Sequence, residues 1–295
     1  MGRSDASVLS RPVLRYHGGK WKLAPWILGF FPPHQVYVEP FGGAASVLMR
    51  KPRAGAEIYN DLDDDVVNIF RILRDPVMAT ELRRVVELTP FSRVDLRDAY
   101  LPATDAIDAA RRMLVRSFMG FGSASMTRMH VTGFRSSSGR SSGRAGSTPA
   151  IDWANWPRQI DMMTERLRGV VIENRPFADV IQQHDGAQTL IYADPPYLQS
   201  TRSSLRNKNG NRGHYYRHDM SDDDHRELAR VLNNVRGMAI VSGYPCEFYD
   251  QQLYPGWARE EKRHMADGAR PRTEVVWINA ACAQALERSR SQKVM

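Results

Sequence analysis

The chain has 295 residues, 42% hydrophobic and 25% charged, which fits one large globular domain, or one domain carrying an insertion, and excludes a disordered or fibrous chain. No apolar run approaches the ~18 residues that cross a bilayer, and MGRSDASVLSRP at the N-terminus lacks the apolar core of a signal peptide. Two cysteines, Cys246 and Cys282, form neither a disulfide framework nor a metal-ligand spacing, so the expectation is a cytoplasmic protein with no membrane partner and no metal.

In chain order, Arg15-Tyr16-His17-Gly18-Gly19-Lys20 comes first. Two glycines permit close backbone approach, and Lys20 suits a carboxylate or phosphate, although the segment alone also reads as a surface turn. A strand is expected at 35–39, then the small-residue turn FGGAAS and a helix through Val47. A second strand fits 56–60. Asp63-Asp64-Asp65 then leads into VVNIFRIL, where Val66, Ile69, Phe70 and Leu73 have helical spacing and the acids occupy the first turn. Strand-helix-strand-helix opens an α/β sheet.

From about 76 to 157 the alternation stops. A helix is expected at 106–118, and FRSSSGRSSGRAGS at 134–147 has too little apolar surface for a core element, so it reads as a mobile loop. Strands resume with GVVIEN and with TLIYAD at 189–194. Ser221-Asp222-Asp223-Asp224 is a capping box opening a helix with the stripe Leu228, Val231, Leu232 and Val235, ended by Gly237. MAIVS and EVVWIN (274–279) are further strands. The division expected is a sheet domain over 1–75 and 158–295, interrupted by a mainly helical module at 76–157.

Charge is uneven along a chain of net charge +8. Residues 111–147 hold arginines 111, 112, 116, 128, 135, 140 and 144 and no acid; residues 198–217 hold four arginines and Lys208, again with no acid. Such blocks suit a polyanion, because each cation that neutralises a phosphate releases a counterion. Two solvated loops would carry the same charge.

Two motifs carry chemistry. Leu190-Ile191-Tyr192-Ala193-Asp194-Pro195-Pro196-Tyr197 runs an apolar strand into an acid, two prolines and an aromatic. The prolines remove two backbone donors and fix two φ angles, leaving carbonyls free as acceptors in a rigid turn. A carboxylate and a fixed carbonyl together accept from an exocyclic amino group and favour the positive charge that grows on it during attack. Tyr197 offers a flat face for a base withdrawn from a helix. The same tetrapeptide also reads as a strand stop with a buried tyrosine. The second motif, Val38-Glu39-Pro40-Phe41-Gly42-Gly43-Ala44-Ala45-Ser46, is a strand entering a small-residue turn, and Asp61 follows at the end of the next strand, where an acid binds ribose hydroxyls. This pair suits an adenosine ligand without choosing between a nicotinamide and another cofactor.

Taken in order, GGK, EPFGG, Asn60-Asp61 and DPPY resemble the Dam-type (D12 class, alpha group) DNA adenine-N6 methyltransferases. SGYPCEFYDQQLYPGW (242–257) and RTEVVWIN (272–279) look like phage and prophage members. The resemblance implies a Rossmann-like S-adenosylmethionine-dependent sheet with an inserted target-recognition module. It also implies double-stranded DNA as partner, base flipping, and a possible restriction-modification setting. It assigns the cofactor to Tyr16, Lys20, Phe41, Gly42, Gly43, Asp61, Phe177 and Asp194, and catalysis to Asp194, Pro195, Pro196 and Tyr197. DNA contacts fall to Arg116, Arg128, Arg135, Arg140, Arg202 and Arg206. His17 before GGK, and Pro176 before Phe177, depart from the family pattern. A methyltransferase acting on RNA adenine or cytosine N4, and a catalytically silent DNA-binding protein on the same scaffold, are the competing readings.

Overall fold

The computed structural model describes residues 9, 11–122, 125–126, 132–136, 148–201, 217–266 and 270–292. In chain order its elements are α1 (Ala24–Leu28), β1 (Val36–Glu39), β2 (Ala56–Asn60), α2 (Asp64–Arg74), α3 (Pro76–Glu87), α4 (Arg93–Asp98), α5 (Ala106–Met119), α6 (Pro149–Asn155) and α7 (Ile160–Leu167). There follow β3 (Val170–Glu173), α8 (Phe177–His184), β4 (Thr189–Ala193), α9 (Asp222–Asn233), β5 (Met238–Gly243), β6 (Ala258–Ala266), β7 (Arg270–Ile278) and α10 (Ala280–Gln292). They fall into two compact units. One takes Met1–Lys22, Gly43–Arg50 and Asp63–Gly169; the other takes Leu23–Gly42, Lys51–Leu62 and Val170–Met295. The helices at 76–157 therefore share their unit with four stretches outside those limits, 1–22, 43–50, 63–75 (which carries α2) and 158–169.

The second unit is built on a seven-stranded sheet in the order β3-β2-β1-β4-β5-β7-β6. The first five strands are parallel, and β7 and β6 add an antiparallel edge. Parallel strands are covered on both faces, so they read as unbroken apolar runs: every residue of TLIYA in β4 and of MAIVSG in β5 is buried. Val38, Ile191, Val241, Val275 and Trp277 from the sheet meet Val180, Ile181, Leu228 and Leu232 from α8 and α9 in one core. Together these features make a mixed α/β, Rossmann-like sheet.

Several elements differ from expectation. The capping box at Ser221 and Asp224 is present, but α9 stops at Asn233 with Asn234 as its cap. Gly237 instead begins the next strand approach, where a Cβ would lie 2.7 Å from the Gly186 carbonyl oxygen. The helix expected through Val47 gives way to turns. Ala45 takes φ of 50°, in the left-handed region that a right-handed helix excludes. The edge strand β6, AREEKRHMA, has no apolar alternation to reveal it; charge along an edge blocks pairing with other chains.

In the helical unit, Asp63 caps α2 by accepting from the Asp65 N–H, and α5 buries Met113, Leu114 and Phe118. Two indoles tie distant segments down. Trp153 Nε1 donates to the Thr89 carbonyl at 2.8 Å and Trp156 Nε1 to the Val13 carbonyl at 3.0 Å. The Arg15 N–H donates to Ser117 Oγ at 2.8 Å, fixing the N-terminal segment to α5. Among the described residues, no helix is long and apolar enough to cross a membrane.

Candidate active site

Strand order sets the position of the site. From β1 the chain builds β2 and β3 on one side, then returns to build β4 and β5 on the other. Loops leaving the carboxyl ends of β1 and β4 therefore diverge, and such a switch point opens the crevice in which α/β sheets bind ligands. Glu39-Pro40-Phe41-Gly42 leaves β1 there, and Asp194-Pro195-Pro196-Tyr197 leaves β4. Asp61 follows β2, and Phe177 opens α8 after β3.

Asn60 organises the loops that follow β1 and β3. Fully buried at the end of β2, its Nδ2 donates to the Pro40 carbonyl at 2.9 Å and the Arg175 carbonyl at 3.0 Å, while its Oδ1 accepts from the Arg175 N–H at 2.9 Å. One amide thus fixes the two loops that carry Phe41 and Phe177, whose ring centroids lie 5.3 Å apart at 37°. The Gly42 N–H donates to the Asn60 carbonyl at 2.7 Å. A Cβ on Gly42 would fall 2.0 Å from Cε2 of Tyr59, so only glycine lets the chain pass over that buried ring. Asn174 Nδ2 donates to the Asp61 carbonyl at 2.9 Å. Pro176, the departure noted before Phe177, stands at the N-cap of α8, which has no side-chain cap.

Tyr16, Lys20 and Gly43 belong to the helical unit. A Cβ on Gly43 would meet Cδ1 of Tyr16 at 3.2 Å, so that ring lies against the glycine turn. Lys20 is only 4% exposed and its Nζ donates to the Gly18 carbonyl at 2.7 Å.

At the Asp194-Pro195-Pro196-Tyr197 loop, Ser242 Oγ on β5 donates to Asp194 Oδ1 at 2.8 Å. The Tyr192 hydroxyl lies 3.0 Å from Ser242 Oγ. A serine hydroxyl has one proton; since it goes to Asp194, Tyr192 donates to Ser242. Burial, then the Asp194 charge, raises the Tyr192 hydroxyl well above its ordinary value, which keeps this donor chain protonated. Tyr197 is 8% exposed. Its hydroxyl donates to Glu274 on β7, and its ring meets Tyr244 edge-on at a centroid distance of 4.6 Å.

Sequence reasoning missed Asn60, Ser242, Tyr244 and Glu274 as site residues. Only their place within segments already marked by the family resemblance pointed towards them. Two of the arginines expected on DNA have structural partners: Arg116 Nη1 donates to the Ala99 carbonyl at 2.8 Å, and Arg135 Nη1 to the Phe118 carbonyl at 2.9 Å near the end of α5. Arg128, Arg140, Arg202 and Arg206 lie outside the described residues, as does most of the expected loop at 134–147.

Comparison with known proteins agrees with this geometry. The chain is 22% identical over 270 residues to the Type II methyltransferase M.MjaIII of Methanocaldococcus jannaschii, covering 84% of this chain and 89% of that protein. Residues 16–252 match the D12 class N6 adenine-specific DNA methyltransferase family. The chain belongs to that family, whose enzymes methylate adenine in DNA and take the methyl group from S-adenosylmethionine.

Proposed function

We propose that this enzyme methylates the N6 amino group of one adenine within a specific site on duplex DNA, by direct in-line attack after the base is flipped out. The observation that carries the reading is the exit of the glycine turn and the acid-proline-proline loop from adjacent strands β1 and β4, with Ser242 holding the acid.

The residues fit the cofactor. Phe41 and Phe177 supply flat apolar surface for an adenine, and Asp61 stands one strand over for ribose hydroxyls. Tyr16, Lys20 and Gly43 complete the proposed contacts. Bound there, S-adenosylmethionine supplies an electrophilic methyl group.

The protein's part is to hold the amino group. The Asp194 carboxylate and the Pro195 carbonyl accept its two hydrogens, which directs the nitrogen lone pair outward and stabilises charge developing on it. Pro195 and Pro196 keep that turn rigid, and Tyr197 stacks on the base. Flipping costs a few kcal/mol, offset by stacking and by contacts to the DNA backbone. A nucleophilic cysteine has no part in this: burial pushes the Cys282 thiol up to about 12 and raises Cys246 as well.

Residues 76–157 form the target-recognition module in this reading, with Arg116, Arg128, Arg135 and Arg140, while Arg202 and Arg206, which follow Asp-Pro-Pro-Tyr in sequence, also contact the DNA. The order of cofactor turn, helical segment and Asp-Pro-Pro-Tyr supports the alpha arrangement. The type II designation of the archaeal relative supports site-specific modification. Protein incubated with labelled cofactor and unmethylated duplex DNA should yield N6-methyladenine, and Asp194→Ala should abolish it while keeping the fold. Label found only in RNA, in protein or on cytosine N4 would overturn the proposal, and methylome sequencing of expressing cells identifies the site.

A further inference from the structure

Glu274 is an anomaly on its strand. It is 2% exposed, and the residues that follow it on β7, Val275, Val276, Trp277 and Ile278, are all buried and apolar. A buried carboxylate is costly unless hydrogen-bonded, so packing alone does not account for an acid at this position. Glu274 accepts the hydroxyl of Tyr197, the last residue of the Asp-Pro-Pro-Tyr loop. The register pairs Gly243 with Val275, which brings Tyr244 to the next position along, opposite Glu274. From there Tyr244 meets the Tyr197 ring at 4.6 Å and 74°, and the Arg272 guanidinium lies 5.6 Å from the centre of the Tyr244 ring. The antiparallel edge of the sheet therefore reaches the catalytic loop at two points, a hydrogen bond to the hydroxyl and a ring against the ring.

We propose that Glu274 is a positioning residue for methyl transfer, acting through the Tyr197 hydroxyl to fix the plane and depth of the aromatic face that receives the target adenine, with Tyr244 bracing that ring. This rests on the reading of 194–197 as the target-base site. A tyrosine held by its hydroxyl cannot rotate about its side-chain bonds without losing the carboxylate, whereas the same ring unanchored samples several poses. Misplacement of a reacting group by about an ångström costs up to ~100-fold in rate. Burial, then the negative charges of Asp194 and Glu274, hold the Tyr197 hydroxyl well above its ordinary value, which keeps it a donor.

The test compares Tyr197→Phe, Glu274→Gln, Glu274→Met and the double variant Tyr197→Phe/Glu274→Met on duplex DNA. A 2-aminopurine at the target position reports the environment of the flipped base. Tyr197→Phe and Glu274→Met should each lower kcat roughly tenfold, leave cofactor affinity unchanged and alter the 2-aminopurine signal of the bound complex. Glu274→Gln, which retains an acceptor, should recover most of the rate, and the double variant should be no slower than either single one. Should Glu274→Met fail to fold, Tyr197→Phe against wild type carries the test alone. Wild-type kcat in Tyr197→Phe, or losses that multiply in the double variant, would overturn the proposal. If Asp194→Ala is inactive in that case, the target-base reading survives; if Asp194→Ala methylates normally, that reading itself has failed.

Discussion

Ser242→Ala tests the donor chain behind Asp194, the proposed catalytic acid, most directly. In the wild-type protein Tyr192 donates to Ser242 at 3.0 Å and Ser242 to Asp194 at 2.8 Å, with Tyr192 and Ser242 both fully buried. Alanine removes a charge-assisted bond to a carboxylate, worth about 1.5–3 kcal/mol. If that bond orients Asp194 for the amino group, kcat falls about 10- to 100-fold, at roughly 1.4 kcal/mol per decade. The same change leaves the Tyr192 hydroxyl buried without its acceptor, a further cost of about 1–3 kcal/mol to the fold, visible as a lower Tm. Adding Tyr192→Phe to Ser242→Ala should return part of that stability, because no hydroxyl is then stranded, without returning the rate. Single-turnover methyl transfer and thermal melts on the three variants measure both quantities. Lower Tm with wild-type kcat would refute the orienting role and leave Ser242 as packing; unchanged Tm and kcat would refute the hydrogen-bond chain altogether.

Other perturbations have distinct signatures. Asn60→Ala strands the Arg175 N–H and frees both ring-bearing loops; it should cost about 1–3 kcal/mol and weaken cofactor binding measured by calorimetry. Gly42→Ala forces a carbon to within 2.0 Å of the Tyr59 ring, and an overpacking cost of about 1–3 kcal/mol or more should appear in the melting curve together with loss of cofactor affinity. For Asp108, burial would raise the carboxyl, but hydrogen bonds from Arg112 and Arg111 outweigh it and hold it at about 2, below its ordinary 3.8. A carboxyl lowered on folding stabilises above its unfolded value and loses that contribution as pH falls through the folded one. The margin in urea midpoint of wild type over Asp108→Asn should therefore be full near neutral pH and shrink between about pH 4 and pH 2; a margin undiminished at the acid end would contradict the assignment.

What was legible in the residues follows from how each feature is encoded. The parallel strands could be read because burial on both faces demands contiguous apolar runs, as in TLIYA and MAIVSG. Asp63 and Ser221 announced their helices because capping is local chemistry. The segment over 43–50 misled because a small-residue turn after a parallel strand ordinarily opens a helix, while Ala45 is held in a left-handed conformation by context that composition does not carry. Ser242 and Glu274 were hidden for a different reason. Each looks like an ordinary strand residue, and its role exists only through a partner 48 or 77 positions away in sequence. The arginines illustrate the converse: the resemblance assigns Arg116 and Arg135 to DNA and says nothing of the backbone carbonyls to which both donate inside the helical unit.

The neighbour relation of β1 and β4 also shapes how the protein is made. Val36 pairs with Thr189, and the intervening chain includes the entire run of helices from α2 to α7. Contacts of such long sequence separation form slowly, since the loop-closure entropy is met before the pairing repays it. On the ribosome, the glycine turn emerges long before Asp194, and Ser242 emerges later still. A nascent chain thus has no completed crevice while its helices fold. The β1–β4 pairing from which both loops emerge therefore waits until the chain has been made through Ala193.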